Sequence, residues 1–231
     1  SPRERINQVF FAALLSLSLW TFGFTIAISA GDYESCLFWR RFSALGWGTF
    51  FAVLLHFTLL LTEKKELLKQ WWIYLFIYFP AVVVVFAFSV SNDLAPILYN
   101  LVETEWGWIN QAQNSVWDMF HTVYYAGYSL TSMFMIWQWG RQYQEVKIQT
   151  HFIIGSYFLI FLIGSLTDII SNTYLGMEIP QMAPVFLLFP VFTMFYTKNG
   201  FGIFTVGRLQ QESRSLNIIS TKKVYSYLAI A

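Results

Sequence analysis

Charge is scarce in this chain. Asp, Glu, Lys and Arg make up 12% of its 231 residues, against roughly 25% in a soluble domain. The formal net charge is +1, so no basic excess exists to displace phosphate counterions, which argues against a nucleic-acid partner. One cysteine, Cys36, excludes an internal disulfide and says little about compartment. The three histidines, His56, His121 and His151, fall in or beside different apolar segments and at different depths, which argues against a metal centre. No Ser–His–Asp order stands out, and there is no Walker loop or Gly-rich dinucleotide turn. Glu103 and Glu105 belong to a loop and do not suggest acid–base work. No catalysis in this segment and no cofactor are expected.

Apolar residues are abundant. Hydrophobic residues reach 56% and aromatics 20%. Six apolar runs dominate: Val9–Ala30, Cys36–Thr62, Trp71–Ser89, Val116–Trp139, Phe152–Ile170 and Met182–Thr197. A helix rises ~1.5 Å per residue and a bilayer core is ~30 Å thick, so about 20 apolar residues span it. The expected fold is all-α, a polytopic transmembrane bundle of six spans, with the lipid bilayer as its first partner. The first run exceeds the ~7–15 residues of a signal-peptide core, and Ile28 stands where a small residue would precede a cut after Ala30. Cleavage is therefore not expected.

Basic residues collect in alternate connections. Arg3 and Arg5 precede the first run, Lys64, Lys65 and Lys69 follow the second, and Arg141 and Lys147 follow the fourth. Lys198, Arg208, Arg214, Lys222 and Lys223 follow the sixth. The other connections carry Asp32, Glu34, Asp93, Glu103, Glu105 and Glu178. The positive-inside rule then puts both ends in the cytoplasm. Arg40 and Arg41, near the outer end of the second run, are the exception. The segment Val90–Ser115 is the longest connection and is expected to cap the outer face. Pro80 and Pro190 lie inside apolar runs and should bend their helices, with packing as the default role.

Polar residues at bilayer depth usually face the protein interior. In the second run, Ala44, Gly48 and Ala52 recur at four-residue spacing, a small-residue face for close helix packing. Arg40 lies one step before it and His56 one step after it, too far apart to share a site. His56 reads as a packing histidine bonded to neighbouring backbone; for the arginines, outward snorkelling is the plain alternative to a site. In the fourth run Asp118, His121, Thr122, Tyr125, Ser129 and Ser132 fall on about a third of the helix circumference. The fifth run ends with Ser165, Asp168, Ser171 and Asn172 on one side. Arg40 or Arg41, Asp118 with His121, and Asp168 thus reach a similar outer depth. Three readings stand open: a ligand pocket, a proton-sensitive site, or an ion-pair network that fixes packing, with an arginine paired to Asp168.

Several short motifs carry a family likeness. Leu19-Trp20-Thr21-Phe22-Gly23-Phe24 is followed by Phe38-Trp39-Arg40-Arg41-Phe42 and Leu55-His56-Phe57-Thr58. Then come Gly107-Trp108-Ile109-Asn110, Tyr124-Tyr125, Gly164-Ser165-Leu166-Thr167-Asp168-Ile169-Ile170 and Ile179-Pro180-Gln181-Met182-Ala183-Pro184. In order and spacing these resemble the N-terminal seven-transmembrane region of bacterial sensor histidine kinases, an input region also found on GGDEF diguanylate cyclases. The resemblance implies a sensory input domain in the bacterial inner membrane. It would pass an unidentified small-molecule or physical stimulus to a cytoplasmic kinase or cyclase. Residues 1–200 would form the bundle. Residues 201–231 would form a juxtamembrane connector, and Val224–Ala231 would open a further membrane helix. Six runs rather than seven place the family's first helix before Ser1, as in a piece of a longer protein. A homodimer is left open. The alternative reading is a small-molecule or ion transporter, to which Pro80 and Pro190 would contribute broken helices.

Overall fold

The computed structural model describes residues 2–91, 93–111, 115–143 and 147–167, together with Phe186, Phe189 and Thr193. Long apolar segments leave the backbone no water to bond, so they close their hydrogen bonds internally as helices. The helices are α1 (Pro2–Ile28), α2 (Tyr33–Leu61), the short α3 (Lys65–Leu68), α4 (Trp71–Val85), the short α5 (Ala95–Leu98), α6 (Val116–Gln142) and α7 (Lys147–Gly164). Among the described residues four stretches are long and apolar enough to cross a bilayer: Arg5–Ile28, Tyr33–Leu61, Trp71–Val90 and Thr150–Thr167.

The expectation of six spans is met only in part. The α6 helix has the length, 27 residues, but it carries Asp118, His121, Thr122, Ser129 and Ser132 and is not among the four. Most of the sixth run, Met182–Thr197, lies outside the described residues, as do residues 201–231. The bundle is helical as expected, with one small hairpin added to it. Within Val90–Ser115 the strands β1 (Leu101–Thr104) and β2 (Gly107–Asn110) pair antiparallel, Thr104 opposite Gly107. A segment lying against the bundle must pair its backbone, and a hairpin does so within ten residues. Gly107 turns the chain at φ +95°, and a Cβ there would stand 2.4 Å from the Ile28 carbonyl oxygen. Only glycine fits both demands.

The α2 helix is central. Of its apolar stretch 67% is buried, against 22%, 28% and 17% for the stretches in α1, α4 and α7. It packs along α1 and also against α4 and α6, while α7 packs on α6. The outer helices show large apolar side chains such as Phe11, Phe22, Phe79 and Val82 outward, the surface that lipid covers. At the start of α2, Asp32 caps the helix by accepting from the Ser35 amide at 2.8 Å and from its hydroxyl at 2.7 Å. Those bonds hold the Asp32 carboxyl below its ordinary value.

The α1–α2 crossing depends on a glycine outside the four-residue stripe. A Cβ at Gly46 would stand 2.3 Å from the Trp20 nitrogen and 2.4 Å from the Ser16 carbonyl oxygen. Beside it the Ser16 and Thr49 hydroxyls bond at 3.0 Å. By contrast, nothing lies within 4 Å of a Cβ at Gly127 of α6. Gly46→Ala must push α1 backbone away and should cost about 1–3 kcal/mol. Gly127→Ala should be neutral or stabilising by up to ~1 kcal/mol through helix propensity. Thermal unfolding of both variants in detergent checks the contrast.

Candidate functional site

The hairpin end of the bundle is closed around two arginines of α2. Arg40 is only 4% exposed, so it does not snorkel outward. Its Nη2 donates to the Trp108 carbonyl at 2.7 Å, and its guanidinium lies 4.3 Å from the Phe24 ring centroid. Trp108 in turn donates its indole N–H to the Ala30 carbonyl at 2.8 Å. One charged side chain therefore ties α1, α2 and β2 together. Arg41 points elsewhere: its Nε donates to the Ser89 carbonyl at 3.2 Å. Ser89 belongs to a π-helical turn, Phe86–Val90, that ends the α4 span, and a basic side chain there answers carbonyls the helix leaves open. Asp168, the expected acidic partner, lies outside the described residues.

Tyr99 sits between these groups. It is 5% exposed, donates to the Arg40 carbonyl at 3.3 Å and packs its ring 5.8 Å from Phe88. Burial pushes its phenol well above the ordinary value, opposed by Arg40 and Arg41 and reinforced by Asp118.

The polar stripe of α6 divides into different tasks. Asp118 forms a capping box with Ser115: its Oδ2 accepts from the Ser115 amide at 3.0 Å and hydroxyl at 2.8 Å, and Ser115 Oγ accepts from the Asp118 amide at 3.1 Å. This carboxylate fixes the start of a helix. His121 sits among rings from three elements, with centroids 4.7 Å from Trp47 of α2, 6.3 Å from Phe88 and 5.7 Å from Tyr125. Its Nε2 is buried and has no hydrogen-bond partner among the described residues. Tyr125 packs against Phe51 and Phe161 and bonds the Ser165 hydroxyl at 2.9 Å. The result is an aromatic enclosure with one unanswered ring nitrogen, suited to hydrogen bonding rather than to covalent chemistry.

Below it, two further tyrosines reach into neighbouring backbone. The Tyr124 hydroxyl donates to the Gly48 carbonyl at 3.0 Å and accepts from the Ala52 amide at 3.0 Å, the two groups that close one turn of α2. Tyr128 donates to the Phe76 carbonyl. The residue four places on is Pro80, which has no N–H to offer that carbonyl. Of the expected packing face, Ala44 and Ala52 are fully buried, and a Cβ at Gly48 would stand 2.8 Å from Val85. His56 bonds not to backbone but to the Tyr78 hydroxyl, at 2.7 Å, and packs edge-on to Tyr74. Among the described residues no group of three His, Cys, Asp or Glu could hold a metal ion.

Arg40 offers a direct test of the outer closure. Arg40→Met keeps much of the volume but removes the donor to the Trp108 carbonyl, which should cost about 1–3 kcal/mol. The loosened hairpin should then exchange its amide hydrogens faster over residues 101–110 than in the unmodified protein. Hydrogen exchange followed by mass spectrometry measures this.

A family model described as the N-terminal 7TM region of histidine kinase matches residues 2–205. No curated protein and no solved structure matches the chain. The family match spans the helices, the hairpin closure and the His121 enclosure together, and the chain belongs to the N-terminal seven-transmembrane region of histidine kinases.

Proposed function

We propose that this region is a sensory input domain that passes a stimulus to a cytoplasmic histidine kinase domain. The family match over residues 2–205 carries the reading. The same match favours a kinase over a diguanylate cyclase as the output. The segment itself is the non-catalytic part. The stimulus, a small molecule or a physical change in the bilayer, is read in the outer half around His121. The buried Nε2, without a hydrogen-bond partner among the described residues, supports this, because such an atom calls for an explanation such as a ligand or water. A stimulus acts here by favouring one helix packing over another, with coupling on the order of 1–3 kcal/mol.

In the proposed orientation the domain lies in the bacterial inner membrane with both ends cytoplasmic. The alternation of Lys and Arg with acidic connections supports it. So does the burial of Arg40, which is bonded to β2 and does not behave as a loop charge. Single cysteines test it in whole cells. A membrane-impermeant reagent should label a cysteine replacing Glu105 at the hairpin tip and spare one replacing Lys65. The reverse pattern would refute the orientation.

Output is tested in the full-length protein in native membranes. His121→Ala should change autophosphorylation several-fold at unchanged membrane abundance, while His151→Ala, at an exposed position on α7, should leave it near the starting level. Equal effects from both substitutions, or none from His121→Ala, would contradict a sensing role for the enclosure.

A further inference from the structure

The two phenols that α6 inserts into its neighbours are not equivalent. Tyr128 answers the Phe76 carbonyl, whose helical partner would be the amide of residue 80. Pro80 lies inside α4 and has no such amide. If Tyr128 withdraws, the Phe76 carbonyl is left without its hydrogen bond in apolar surroundings, an unfavourable state in a bilayer. Tyr124 stands between the Gly48 carbonyl and the Ala52 amide, a pair that an undisturbed helix joins directly. If Tyr124 withdraws, α2 closes that turn by itself and no buried backbone group is orphaned.

The two contacts lie four residues apart on α6, about 6 Å along its axis. We infer that α6 pivots about the Tyr128–Phe76 contact, with Tyr124 as a releasable latch on α2. The turns that swing are those on the Val116 side, which carry the Ser115–Asp118 cap and His121. The turns beyond Tyr128 stay in place because Ile136 and Trp139 are buried with Phe57 and Leu61 of α2 and Ile153 of α7. Tyr125 can follow the motion, because its contact with Ser165 joins two rotatable hydroxyls. The pivot is a property of the backbone defects and does not depend on which stimulus moves α6.

Two experiments on the whole chain in lipid nanodiscs test this. In the first, Tyr128→Phe is compared in the native and Pro80→Ala backgrounds by thermal unfolding. The native background should lose several degrees of Tm. The Pro80→Ala background should lose less than half as much, because a restored amide answers Phe76. Tyr124→Phe should also lose less than half of the Tyr128→Phe value. Equal losses for Tyr128→Phe in both backgrounds, or a Tyr124→Phe loss as large as that of Tyr128→Phe, overturn the assignment.

The second experiment reads the motion itself and stands even if Pro80→Ala fails to fold. Spin labels are placed at exposed positions on α4 and α6: Val82 with Met119 on the outer side, Leu75 with Phe134 on the inner side. Cys36 is fully buried and does not compete for label. Tyr124→Phe should broaden the outer distance distribution and leave the inner one unchanged. Broadening of both pairs, or of neither, rules out a pivot at Tyr128.

Discussion

A carbonyl that its own helix cannot satisfy must be satisfied by a neighbour, and inside a bilayer that demand is worth several kcal/mol. Pro80 creates such a carbonyl at Phe76, and Tyr128 answers it. That contact fixes one point of α6 against α4. The other polar positions of α6 then follow from helical spacing. Tyr124 arrives at the Gly48–Ala52 turn of α2, Tyr125 faces Ser165, and His121 one turn earlier enters the space between Trp47 and Phe88. The enclosure around His121 thus lies on the same helix as the phenol that answers the Phe76 carbonyl.

The hairpin closure obeys the same rule with a charge in place of a phenol. A buried guanidinium must be surrounded by acceptors, and Arg40 finds one in the Trp108 carbonyl. The indole of Trp108 and the bare Gly107 bring the hairpin onto the end of α1. Tyr99 closes the gap between this cap and the π-helical turn through Arg40 and Phe88. The cap, α2 and the end of α4 therefore pack in one run with the rings around His121.

The helical frame was legible because hydrophobic length is a strong signal. The expected runs Cys36–Thr62 and Trp71–Ser89 fall within a few residues of Tyr33–Leu61 and Trp71–Val90. The hairpin was not legible: its strands are four residues each, and their pairing is set by the bundle end they cover. Pro80 was recognisable as a bend, but the residue that answers it lies 52 positions from Phe76, and no spacing rule connects them. The sequence shows Tyr124 only as part of the Tyr124-Tyr125 motif and does not mark Tyr128, because tyrosine counts as an interfacial aromatic in any hydropathy reading. Gly46 was missed because the stripe of Ala44, Gly48 and Ala52 faces away from α1. His121 and Arg40 were identifiable in advance, since polar groups at bilayer depth are few and each needs a reason.

The repair of the Phe76 carbonyl by Tyr128 can be observed directly by isotope-edited infrared spectroscopy of that one carbonyl in lipid. Its amide band should lie at the frequency of a hydrogen-bonded group in the unmodified protein. It should move to higher wavenumber in Tyr128→Phe and return when Pro80→Ala is added. A band that stays in place in Tyr128→Phe would mean that the carbonyl does not depend on the phenol, and would contradict the account of how α6 is held.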